Sequence, residues 1–422
     1  MAEPSSSLSS GLHGTGLDLR VAGREPLSLA LVDARNTTLH RFRQLEEGLD
    51  AAGVDVRRGR GPDAPLWLVG HLGWFQEWWI GRNPQRARGE QAPADGLRLA
   101  SVDPRADALW NPELAAADAG GDAELPTPAE VRAWLLDTLE STLELLDKSA
   151  EDDDALYFYR LALFHEDQCG ERLARIADAF GVAMDVDAPP GALGSVRTVG
   201  VPATRWTLGT RRGPSCGFAW DNEGPAHEVA LPGFEIDAQP VSWLQFAEFV
   251  DDGGYDNPEW WGTAGWAWLQ AQAAQGGRRA PRQVEQIGSA SGAVIQTRFG
   301  QARRLRGTQS VVHASGWEAQ AWCNWAGRRL PTEAEWEAAA CTMRARGFQW
   351  GDVHEWTAST FRPYPGFRAG PWASYSLPWF DRAWALRGAS FATHGRLRQP
   401  RARGFALPGD DSGFTGFRSC AP

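Results

Sequence analysis

Only five of the 422 residues are cysteine, odd in number and scattered along the chain. That pattern excludes a disulfide framework and fits a reduced, cytoplasmic setting. No uninterrupted apolar run is long enough to span a bilayer. The stretch from Met1 to Gly11 has neither a basic region nor an apolar core, so no export signal is expected. Positive charge is also in deficit: the net charge of -11 argues against nucleic acid and against anionic membrane as partners. There is no internal repeat and no nucleotide-binding glycine fingerprint. Tyrosine is scarce at five residues.

With 43% hydrophobic and 23% charged residues the chain is globular, and its length predicts two domains. Tryptophan is in excess, with 22 residues. Trp78 and Trp79, Trp260 and Trp261, and Trp266 and Trp268 suggest irregular segments pinned by large rings.

The stretch from Leu163 to Ile176 organises the first half. As a helix it buries Leu163, Phe164, Leu173 and Ile176, while His165, Cys169 and Arg172 fall at i, i+4 and i+7. Two ligand-capable side chains one turn apart can grip a metal ion; the plainer alternative is a pair of satisfied core residues.

Residues 1–25 read as a flexible tail. Helices are expected over 26–49, where Leu31, Leu39, Phe42 and Leu45 form a stripe, and over 66–79, a strongly apolar segment containing His71. Residues 112–125 read as an acidic loop. A third helix starts at Thr127-Pro128, suited to the N-cap and first turn, and runs to Lys148. The His165 helix follows. Four such segments predict an antiparallel bundle over 26–182, and bundle interiors are where facing helices build metal sites. After a linker at 183–197, short apolar runs alternate with Gly, Pro and Trp. Helices are expected only at 243–251, 316–326 and 332–340, the last with a capping box at Thr332 and Glu335.

Residues 328–337, with Arg328, Leu330, Pro331, Thr332, Glu333 and Trp336, resemble the sulfatase-modifying-factor family, which has the formylglycine-generating-enzyme fold related to C-type lectins. Gly351 to Thr357, Leu386 to Phe391 and Gly416 to Arg418 match in the same order. Phe218 to Glu223 and Asp251 to Tyr255 narrow the resemblance to its ergothioneine sulfoxide synthase branch. The resemblance implies an α+β chain: an N-terminal DinB-like four-helix bundle, then a C-type-lectin-like formylglycine-generating-enzyme domain over 198–422.

The branch holds Fe(II) with a His-x-x-x-His-x-Glu motif plus one earlier histidine. By that resemblance His165, Glu171 and His71 take their places, and Cys169 stands where the second histidine should be, as a thiolate ligand or as an inert neighbour. The implied chemistry couples O₂, as co-substrate, to joining a chalcogen donor to C2 of the imidazole of hercynine. Gln168 matches the glutamine that hydrogen-bonds the substrate imidazole, and Tyr375 or Tyr364 would supply a proton. His313, His354 and His394 are expected to serve fold or pocket lining. A formylglycine-generating activity would need a reactive C-terminal cysteine pair, and Cys323, Cys341 and Cys420 do not fall in that pattern.

Departures from the branch bear on the donor. The loop from Asn111 to Pro126 has no Lys or Arg but carries Glu113, Asp118, Asp122 and Glu124, with Asp107 just upstream. An Arg-Asn-Trp-Asp run of the branch, near the C-terminus, is replaced by Arg403, Gly404, Phe405 and Ala406. Both changes disfavour the doubly carboxylated γ-glutamylcysteine. They favour a neutral donor, and the resemblance to a branch member that takes a selenosugar, a 1-seleno-N-acetylglucosamine, implies that donor over a thiol. Spare arginines that would reverse this are Arg82, Arg396, Arg398 and Arg401.

Overall fold

In a computed structural model the described residues are 18–117, 125–186, 197–213, 215–273, 277–288 and 293–422. The tail up to residue 17, most of the linker and residues 118–124 of the acidic loop lie outside them. From Asp18 onward the segment expected to be a loose tail is packed. Arg20 is buried, its guanidinium forms an ion pair with Glu223, and its carbonyl accepts from the Phe218 N–H at 2.8 Å.

The first half is helical: α1 (Arg24–Ala51), α2 (Pro65–Gln76), short α3 (Ala106–Trp110) and α4 (Pro112–Ala117), α5 (Pro128–Asp147) and α6 (Asp153–Phe180). The four long ones pack as a bundle, α1 against α6 and α2 against α5. The starts of α5 and α6 have local causes. Thr127 and Glu130 close a capping box on α5 with Pro128 in the first turn, and the Asp152 carboxylate accepts from the Ala155 N–H at the start of α6. Gly181, in the left-handed region at φ 67°, ends α6. All twelve residues of α2 are buried, so it is central rather than amphipathic. It runs on into a π-helical turn, Glu77–Gly81, which contains Trp78 and Trp79. Part of the stretch expected as an acidic loop is the helix α4.

The second half is built on small sheets. β1 (His354–Thr360) is central in a four-stranded sheet with β2 (Trp384–Gly388), β3 (Arg403–Ala406) and β4 (Thr415–Phe417), in the order β3-β2-β1-β4 with β4 parallel to β1. The other strands form two two-stranded antiparallel sheets and one three-stranded sheet. The expected helices appear as α7 (Trp243–Asp251), α9 (Gly316–Trp325) and α10 (Glu333–Thr342), the last with the Thr332–Glu335 capping box. A further helix, α8 (Gly262–Ala273), occupies one of the tryptophan clusters read as irregular.

One continuous apolar core crosses the junction of the halves, joining Phe164 and Leu173 of α6 to Phe218, Trp220, Val353, Phe391 and Phe414. No described helix is long and apolar enough to cross a membrane.

Candidate functional site

His71 on α2 and His165 on α6 meet inside this core, their ring centroids 5.3 Å apart and nearly perpendicular. Each ring is held by neighbours. His71 lies flat on Trp67 at 5.0 Å, and its Nδ1 donates to the Trp110 carbonyl at 2.9 Å, since that oxygen can only accept. The proton is thereby fixed on Nδ1 and the Nε2 lone pair is left available. His165 stacks on Phe75 at 3.9 Å and meets Trp372 edge-on at 4.9 Å; its buried Nδ1 has no hydrogen-bond partner. The Cys169 Sγ lies 3.7 Å from His165 Nε2.

Burial governs the protonation of all three. It lowers His71 to about 4 and His165 well below the usual histidine range, with the charge of Arg172 adding to both. It pushes the Cys169 thiol up to about 12. The imidazoles are therefore neutral near pH 7, the form that binds metals. Two neutral imidazoles with available ring nitrogens, beside a thiol, are a donor set suited to a first-row transition metal. Among the described residues, however, no group of three or more His, Cys, Asp or Glu side chains is placed to hold a metal ion.

The lowered basicity makes stability depend on pH in the metal-free protein. An unfolded His71 takes up its proton near pH 6.5 and the folded one only near 4. The contribution is therefore present above about 6.5 and is lost as pH falls towards 4, by roughly 3 kcal/mol for this one group. Urea unfolding across that window should show the loss, and His71→Gln should flatten it. An unchanged slope in the variant would assign the pH dependence to other groups.

Beside the pair, the Gln168 Nε2 donates to the Tyr375 hydroxyl at 2.9 Å, bridging α6 to the second half. Because that oxygen accepts, the phenolic proton remains to be donated elsewhere. Tyr375 stacks on Trp220 at 4.6 Å, touches Trp372 at 5.0 Å and meets Phe405 at 5.6 Å. Burial raises its pKa, keeping the phenol protonated.

The alternative tyrosine is engaged elsewhere. The Tyr364 hydroxyl donates to Glu333 at 3.1 Å and accepts from Arg387 at 2.8 Å, within a separate core around Trp336 and Leu208. Arg403 is not a free cation either: it is buried, bidentate on Glu333 at 2.8 and 2.9 Å, and lies over the Tyr364 ring. Gly404 adjoins Leu386, leaving Phe405 as the member of that run that reaches Tyr375.

Glu171 turns away from the imidazoles. It accepts from His354 Nε2 at 2.9 Å, Ser390 Oγ at 2.6 Å and Thr393 Oγ1 at 2.7 Å. Burial alone would raise its pKa; His354 and these hydrogen bonds override that and bring it to about 2. It belongs to a polar stripe along α6 that the second half clasps. Asp167 takes Arg396 at 2.7 Å, Arg175 reaches Ser412 at 2.6 Å, and Asp178 holds His313 at 3.2 Å. His394 also stands 4.0 Å from Asp167. The three histidines assigned to fold or pocket lining thus all face acids of the helix that carries His165. All five cysteines are free.

Of the residues expected around the donor, Asp107 does not stand as a bare charge, because Arg82 pairs with it at 2.7 Å and Trp74 donates to it. Phe75, Trp110 and Trp372 were not anticipated as site residues; their only sequence signal was the aromatic excess.

A DinB superfamily profile matches residues 34–176, and a sulfatase-modifying factor enzyme 1-like domain profile matches residues 195–352. The hercynine oxygenase of Mycolicibacterium thermoresistibile is 31% identical, with 94% of this chain and 95% of that protein aligned. The hercynine oxygenase of Mycolicibacterium smegmatis is also 31% identical, over 94% of this chain and 98% of its own. A formylglycine-generating enzyme of Streptomyces coelicolor is 35% identical over only 39% of the chain. The likeness to the first two runs through both halves, including the bundle that carries His71 and His165, and the chain therefore belongs to the hercynine oxygenase family of ergothioneine sulfoxide synthase-like proteins.

Proposed function

We propose that this chain is an O₂-dependent, non-haem iron enzyme that joins C2 of the hercynine imidazole to the selenium of a 1-seleno-N-acetylglucosamine, a selenoneine synthase. The observation that carries the oxidative part is the meeting of His71 and His165 across facing helices, with the Gln168–Tyr375 pair beside them. Relatives named hercynine oxygenases, aligned over nearly the whole chain, support the imidazole substrate.

His71 and His165 would hold the iron, with Cys169, 3.7 Å from His165 Nε2, as a third donor or an inert neighbour. Bound Fe(II) would supply the activation of O₂. For a selenol donor the balance is one C–H and one Se–H broken, one C–Se bond formed, one oxygen atom left on selenium and the other released as water. The chain's own groups do the rest. Tyr375 keeps a phenolic proton available next to Gln168. Trp220 and Trp372 offer faces to a quaternary ammonium, which has no hydrogen to donate. The apolar packing around His165 excludes water.

The donor reading rests on arginines that already have partners. Arg82 pairs with Asp107, Arg396 with Asp33 and Asp167, and Arg401 with Glu337, while Arg398 donates to backbone carbonyls. With them engaged, and with Phe405 presenting a ring, a neutral pyranose suits the site better than two carboxylates. Supplying the selenosugar, its thio analogue and γ-glutamylcysteine in turn, with hercynine, Fe(II) and air, tests this by mass spectrometry. Selenosugar turnover should exceed that of γ-glutamylcysteine by orders of magnitude in kcat/KM. If γ-glutamylcysteine is the best donor, the enzyme is of the ergothioneine type, with a thiol donor.

A further inference from the structure

One charged residue on the ligand-bearing face of α6 remains without a role. Arg172 follows Cys169 by three positions and His165 by seven, so it shares their face. It is half-buried, and its charge disfavours protonation of both His71 and His165.

Near the junction Arg398 donates to backbone carbonyls and Arg298 to the Gln296 side chain, and other arginines are answered by carboxylates. Arg20 has Glu223, Arg35 has Glu166, Arg396 has Asp167 and Arg403 has Glu333. Among the described residues Arg172 has no hydrogen bond, ion pair or aromatic partner. A partly desolvated cation beside neutral rings is unfavourable until an anion meets it, and the fork of a guanidinium fits a carboxylate bidentately.

We propose that Arg172 is the carboxylate-binding residue of this site and holds the α-carboxylate of the imidazole substrate. The assignment rests on hercynine being that substrate; with a neutral sugar as donor, its carboxylate is the only anion that enters. The helix geometry suits the ligand. Gln168, whose amide is anchored on Tyr375, lies one turn before Arg172. Four residues of α-helix rise roughly 6 Å, comparable to the reach of a histidine from ring to carboxylate.

The experiment measures binding rather than turnover, so donor identity does not enter. Iron-loaded wild-type protein and the Arg172→Met and Arg172→Lys variants are titrated anaerobically with hercynine and with hercynine carboxamide, by calorimetry. Arg172→Met should weaken hercynine binding by about 10- to 100-fold, with Lys restoring part of it. The carboxamide should bind wild type and Arg172→Met within about two-fold of each other, because no charge is left to lose. Equal hercynine affinity in wild type and Arg172→Met overturns the proposal. So does the same loss for acid and amide, which would mean a packing role. Failure of hercynine to bind the wild-type protein overturns the substrate reading itself and the assignment with it. Thermal unfolding of each variant separates these outcomes from misfolding.

Discussion

Replacing His71 by alanine should remove iron and turnover together. The side chain contributes one of the two imidazoles that meet between α2 and α6, and its orientation is already set by Trp67 and by the Trp110 carbonyl. Changes to groups that merely orient a ligand cost roughly 10- to 100-fold in metal affinity or activity, so removal of His71, the proposed ligand, should exceed that range. The measurements are iron content after reconstitution and product formation on the same sample. Full iron occupancy with no product would move His71 from metal binding to substrate contact. The fold should survive, because Trp67, Trp74 and Phe75 continue the packing around the vacated ring.

The second large effect should separate metal from chemistry. Tyr375→Phe keeps the ring stacked on Trp220 and deletes only the hydroxyl that accepts from Gln168. Iron content should be unchanged. If the phenol delivers a proton, kcat should fall by about 10²- to 10⁴-fold, the usual range for a positioned acid. A rise in the KM for hercynine with kcat preserved would instead make Gln168 and Tyr375 a binding pair. Tyr364→Phe is the matched control. Its hydroxyl serves the buried Glu333 and Arg387, so it should cost on the order of 1–3 kcal/mol of stability and leave kcat alone.

Much of the scaffold was legible from local chemistry. Thr127-Pro128 and Thr332 with Glu335 announce helix starts because capping is satisfied within one turn. α8 was missed because Gly262, Gly265 and two tryptophans resemble a loop, and the helix is supported by tertiary packing of Trp261 and Leu269. At the site, the one-turn spacing of His165 and Cys169 was legible in the residues, and His71 was joined to them by the family resemblance. Their surroundings were not legible. Phe75 and Trp372 clamp His165 from opposite halves, and no periodicity links positions so far apart. Arg403 and Tyr364 carry the right chemistry, but only the fold reveals that Glu333 has claimed both. Arg172 is the reverse case: its helical register was plain, and what gives it meaning is the want of a partner among the described residues.

The clasp along α6 also constrains how the chain is made. Arg20 meets Glu223 across 203 residues, and Glu171 meets Thr393 across 222. During synthesis the bundle leaves the ribosome long before those partners exist. Phe164 and its neighbours then face water until Phe218, Phe391 and Phe414 arrive to cover them. Such late, non-local closure is slow and prone to aggregation. The waiting nascent bundle is a natural client for a chaperone, and expression at lower temperature should raise the soluble yield of the whole protein more than that of its second half.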